Sequence, residues 1–240
     1  MAAQYSNRHF FRKTPNLHLA SFFRSKGFEI DISELKETDA DALQEALNRL
    51  DDSQLTDIEA EFQDVNALAC EGGIAALVDE AGFHQDDEFI EAIAAIDGFH
   101  AKAMWAFLEA PTYWRGATMF LHADNVSPSY WKKRNDLPSV PPQVGNKDIN
   151  ALAEAISKYF FKKEGRGKNC IVEPYRRNRK EYFFAYPEDF AQSAIEWVGD
   201  TLKSQAHHPA FEIIFVYCET EGSLDIYAPR NIKALANLQA

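Results

Sequence analysis

NCIVEPYR (Asn169–Arg176) and KEYFFAY (Lys180–Tyr186), separated by Arg177-Asn178-Arg179, decide the fold class. Both runs are dense in β-branched and aromatic residues, and Asn178 tolerates the left-handed backbone of a tight turn. The pair reads as a β-hairpin. FEIIFVYC (Phe211–Cys218) is a second strong strand signal, and Glu219–Gly222 turns it into Ser223–Tyr227, a second hairpin. Between the hairpins, Pro187-Glu188-Asp189 is a helix start, with Phe190, Ala194, Trp197, Val198 and Leu202 at helical spacing; a strand at Ser193–Val198 is the competing reading. A helix at Asp148–Lys163 precedes the first hairpin, with Ile149, Leu152, Ala155, Ile156 and Phe160 on one face. A closing helix is expected at Asn231–Gln239. The second half, 147–240, thus reads α-ββ-α-ββ-α, an antiparallel sheet of two hairpins packed with helices.

Upstream lies LPSVPPQVGN (Leu137–Asn146), whose prolines mark it as a connector over 137–146. Residues 1–136 read as consecutive helices. Thr14-Pro15 starts one that Gly27 closes, Thr38 and Ser53 open two more, and Leu55, Ile58, Phe62, Val65 and Ala69 follow a helical spacing. Gly72-Gly73 is expected to break the chain before shorter helices at about 74–81, 87–96, 99–109 and 112–122. The fold class is therefore α+β, an acidic helical bundle followed by the sheet region.

Charge is segregated. Residues 1–26 carry five basic groups and no acidic one, whereas residues 27–100 carry 21 acidic and two basic groups, in a chain of net charge −12. Such asymmetry bears on partners rather than on fold. The three cysteines, Cys70, Cys170 and Cys218, form no C-x-x-C and read as buried free thiols. The polar, basic segment Met1–Lys13 has no apolar core, and no run approaches a membrane span, so a cytoplasmic protein is expected.

Motifs for phosphate loops, dinucleotide binding, nucleophile elbows, zinc proteases and kinases are absent from the sequence. Gly165-Arg166-Gly167-Lys168 follows a helix instead of preceding one, and reads as a C-cap and bend rather than a phosphate cradle. His122-x-Asp124 supplies two metal-ligand types with no third marked by spacing. Asp31…Glu34-x-Lys36 matches a nuclease pattern in letters but lies in a helical region. No catalytic residue, cofactor or metal is named from these features.

The most unusual feature is the stretch Lys158–Lys180, which holds nine of the 25 basic residues. Its candidate polyanion-binding residues are Lys162, Lys163, Arg166, Lys168, Tyr175, Arg176, Arg177, Arg179 and Lys180. A basic hairpin with aromatics suits an acidic protein surface or, with rings stacking on bases, nucleic acid. The expected function is a non-enzymatic interaction protein acting in a complex, with a protein partner foremost. The alternative is an enzyme, metal-dependent or nucleic-acid-processing, whose site is assembled from His122, Asp124, Glu173 and Arg176.

Overall fold

The computed structural model describes residues 5–28, 32, 35–37, 39–229 and 234–239, and it is an α+β structure in two compact units, 1–125 and 126–240. The first unit holds α1 (Asn7–Phe11), α2 (Asn16–Ser25), α3 (Ala40–Leu47), α4 (Asp52–Leu68), α5 (Glu71–Phe83), α6 (Asp87–Ala95), α7 (Phe99–Glu109) and α8 (Pro111–Asn125). Side chains that satisfy otherwise unpaired first-turn amides fix several helix starts. Asp51 and Gln54 form a reciprocal capping box at α4, and Asp39 and Asp86 cap α3 and α6. Thr38, the expected start of α3, lies outside the described residues, as do Asp31 and Glu34.

The core of this unit is aromatic. Phe62, on the buried stripe Ile58, Phe62, Val65 and Leu68 of α4, is ringed by Phe10, Phe22, Phe11 and Phe23 with centroids 4.7, 4.8, 5.7 and 6.1 Å away. Gly72-Gly73 does not break the chain as expected; both lie inside the first turn of α5, and the break falls at Ala69-Cys70. A Cβ on Gly73 would lie 2.2 Å from the Leu68 carbonyl, so glycine lets α5 start hard against the end of α4.

The second unit contains β1 (Trp131–Arg134), α9 (Asn146–Glu164), β2 (Cys170–Arg177), β3 (Lys180–Pro187), β4 (Gln192–Val198), β5 (Thr201–His207), β6 (Ile213–Cys218), β7 (Ser223–Tyr227) and α10 (Leu235–Leu238). Five strands form an antiparallel sheet in the order β1-β7-β6-β3-β2, while β4 and β5 pair only with each other. One face of the sheet packs on α9: Ile156 and Phe160 meet Val172, Phe183, Ala185, Ile213, Phe215 and Ile226, with Ala234 and Leu235 completing the cluster. Both edge strands are guarded against further pairing, β1 by its shortness and Lys132-Lys133, β2 by Pro174.

Three expectations change here. The segment after Pro187 is not a crossing helix but the ribbon β4–β5, because Gly199-Asp200 makes a two-residue turn between alternating runs. Gly199 (φ +59) supplies its positive φ. The sheet region begins before the proline-rich stretch, since Trp131–Arg134 pairs with β7, and the units divide at Asn125–Val126 rather than at 137–146. That stretch is a strap on the sheet rather than a free connector. The Tyr217 hydroxyl, with one proton to donate, lies 2.5 and 2.9 Å from the Pro138 and Val140 carbonyls and accepts from Val140 N–H at 3.3 Å, and Leu137 N–H donates to Gly222 O. At Gly222 (φ +58) a Cβ would lie 2.5 Å from the Leu137 carbonyl. Among the described residues no helix is long and apolar enough to cross a membrane.

Candidate interaction site at the basic hairpin

The β2–β3 hairpin closes with Arg177 opposite Lys180 and a two-residue turn at Asn178-Arg179. Both turn residues have positive φ, +51 and +61, the geometry of a type I′ turn. Asn is at home there. Arginine is not: an L-residue with a Cβ costs about 1–2 kcal/mol in this conformation, and glycine is the usual occupant. Arg179 is exposed at the tip.

The neighbouring charges are mixed. Arg176 Nε stands 3.2 Å from Glu181 Oε1 across the strand pair, with the arginine side chain half exposed and the carboxylate mostly covered. Burial pushes the Glu181 carboxyl up, and the Arg176 guanidinium opposes that shift. Lys180 pairs in register with Cys218, which sets the basic turn beside the acidic β6–β7 turn. There Glu221 holds Lys133 at 2.6 Å and accepts from Ser223, contacts that keep its carboxyl below the usual range.

The two tyrosines of the candidate set are part of the packing. Tyr175 meets Phe184 edge-on (5.8 Å between centroids), and Tyr182 lies nearly parallel to it (6.3 Å, 13°). Phe184 itself is fully buried. Both tyrosines are only half-buried, yet their rings rest on a core residue instead of forming an open platform.

The other candidates lie elsewhere. Lys162 and Lys163 occupy the last turn of α9, where cations complement the helix dipole, and Lys168 is exposed just beyond it. This group sits at the Cys170 end of β2 and the hairpin tip at the Arg177 end, roughly 24 Å apart for an eight-residue strand. The sequence cluster is therefore two patches. Arg166 belongs to neither. Its guanidinium lies 2.7 Å from Glu164 and 2.9 Å from Asp189, stacks 4.1 Å from the Phe211 centroid, and is 14% exposed. Gly165 (φ +74) is the left-handed cap of α9, and a Cβ on Gly167 would meet Phe160 Cβ at 2.8 Å, so the Gly-Arg-Gly-Lys segment turns the chain onto the sheet.

Near Lys168, an open groove of about 660 Å³ runs between α9 and the start of β2, lined by Ser157, Lys158, Lys168, Asn169, Cys170 and Ile171 among others. Burial pushes the Cys170 thiol up to about 11, which makes it a poor nucleophile. The cysteines are free, but only Cys218 is buried; Cys70 is exposed and caps α5. His122 and Asp124 lie on α8 in the first unit, whereas Glu173 and Arg176 lie on β2 in the second. Among the described residues no group of three or more His, Cys, Asp or Glu is arranged to hold a metal.

The chain matches no protein-family model, no curated protein and no solved structure.

Proposed function

We propose that the protein is a non-enzymatic interaction module whose basic hairpin tip, Arg176, Arg177, Arg179 and Lys180, docks on an acidic protein surface. The observation that carries this reading is Arg179 at φ +61. A strained backbone held by a bulky residue where glycine fits better points to a role for the side chain. Its exposed guanidinium is suited to bidentate pairing with a carboxylate.

An acidic polypeptide fits better than nucleic acid for two reasons. Tyr175 and Tyr182 are half-buried with their rings engaged by Phe184, which reduces the ring surface on which bases could stack. Glu181, Glu219 and Glu221 interleave with the cations at this end of the sheet, which breaks up the continuous positive track that a phosphate backbone follows. Paired charges of both signs are instead what protein interfaces use to fix register. An extended acidic segment of about eight residues is also long enough to span from this tip to Lys162, Lys163 and Lys168.

The test is a low-salt titration of the full chain with three labelled probes: poly-glutamate, single-stranded RNA and duplex DNA. Poly-glutamate is expected to bind most tightly. Preferential binding of RNA or DNA would replace the reading with a nucleic-acid one, and no binding of any probe would remove it.

A further inference from the structure

The ribbon β4–β5 is the continuation of the two central strands β3 and β6 past the edge of the sheet. Pairing runs on through the bridge Glu188–Ala210 and resumes at Gln192–His207. Between these points three residues, Asp189, Phe190 and Ala191, face two, His208 and Pro209. That extra residue makes the interruption bulge-like, the kind of irregularity that re-aims a strand pair. Beyond it, every residue of β5 is exposed, as is all of β4 except half-buried Ala194.

The two faces of the ribbon differ sharply. In the antiparallel register, Gln192, Ala194, Glu196 and Val198 share one face with His207, Gln205, Lys203 and Thr201, and Glu196 stands directly opposite Lys203. The other face holds Ser193, Ile195 and Trp197 with Ala206, Ser204 and Leu202, and carries no charge. Ile195, Trp197 and Leu202 are 77%, 70% and 57% exposed. A lone two-stranded ribbon is marginal in water, and an uncharged face with three large exposed side chains marks an association site.

We infer that the occupant of this face is the same face of a second copy of the chain, stacked across a two-fold axis through the Ile195–Ser204 pair. The order of side-chain sizes carries the choice. Taken as cross-strand rows, bulk falls from the tip to the base: Trp197 with Leu202, then Ile195 with Ser204, then Ser193 with Ala206. Antiparallel stacking lays each tip row over the other's base row, so that bulky side chains meet small ones at both ends, while the Ile195–Ser204 row on the axis faces itself. The symmetry makes the contact self-complementary. Each copy would cover on the order of 500 Å² of largely apolar surface, a total near the roughly 1,000 Å² at which specific interfaces begin.

Sedimentation of the full 240-residue chain from about 1 µM to about 1 mM tests this, a range that brackets the weak affinities expected of so small an interface. The mass is expected to rise from 27.2 kDa toward twice that value. Trp197→Lys is expected to weaken association at least tenfold, while Lys203→Gln, on the opposite face, leaves it unchanged. Ile195→Cys, combined with Cys70→Ser to remove the exposed thiol, is expected to give a disulfide-linked dimer on oxidation. A mass that stays at 27.2 kDa throughout, or association that survives Trp197→Lys, would overturn the proposal and leave the face to a different protein. None of these readouts depends on the hairpin tip.

Discussion

Two residues carry energetic costs that substitution exposes. Arg179→Gly relieves a left-handed arginine and is expected to stabilise the protein by about 1 kcal/mol, raising Tm by about 2–4 °C in a thermal melt. An unchanged or lower Tm would mean that the turn is not strained. Glu80 is the second: its carboxyl is almost entirely covered, within 3.7 Å of His84 and against Gly116, where a Cβ would lie 2.5 Å away. Burial raises its pKa above 4.5, and His84 only partly opposes that. The folded state then holds a proton that the unfolded state releases. Glu80's contribution to stability is accordingly full below pH 4.5 and lost as pH rises through the raised value. Urea midpoints from pH 4.5 to neutrality are expected to fall in the wild type relative to Glu80→Gln; parallel curves would contradict this.

At the scale of elements, the strap 137–146 is held to the sheet by the Tyr217 hydroxyl and by the backbone bond from Leu137 N–H to Gly222 O. Tyr217→Phe removes the bonds to Pro138 and Val140 and is expected to cost about 1–2 kcal/mol, with faster proteolysis within the strap as the local readout. The sequence made it look like a connector because prolines and exposed valines carry no sign of a distant partner; Tyr217 is 77 residues away from Val140. Elements with strong local signals were legible. FEIIFVYC and the NCIVEPYR/KEYFFAY pair are the sheet's centre and edge, and the helix expected at Asp148–Lys163 is α9. The ribbon was harder, because Phe190, Ala194, Trp197 and Leu202 fall at helical spacing while also flanking a Gly-Asp turn. Here turn chemistry outweighed periodicity, and the alternation in Ser193–Val198 was the better guide. Short β1 was missed for the opposite reason: Trp131–Arg134 has a strand's pairing but not its composition.

Across the whole molecule, the sequence reading gave the fold class and the basic cluster but not the cluster's division. The nine basic residues of Lys158–Lys180 do not form one surface: those near the end of α9 and those at the hairpin tip lie one strand's length apart, and Arg166 is withdrawn from both groups by Glu164, Asp189 and Phe211. Only pairing register and ring packing distinguish a displayed cation from an embedded one. The central claim is that the hairpin tip is a docking site for an acidic polypeptide, and Arg179→Gly tests it most directly because that variant is expected to fold better than the wild type. The measurement is the affinity of labelled poly-glutamate for wild type and for Arg179→Gly combined with Lys180→Gln, across a salt series. Expected is a wild-type affinity that falls steeply with salt and an affinity at least tenfold weaker, with a shallower salt slope, in the variant. Equal affinity and equal slope in the two proteins would contradict the claim and move the binding surface away from the hairpin.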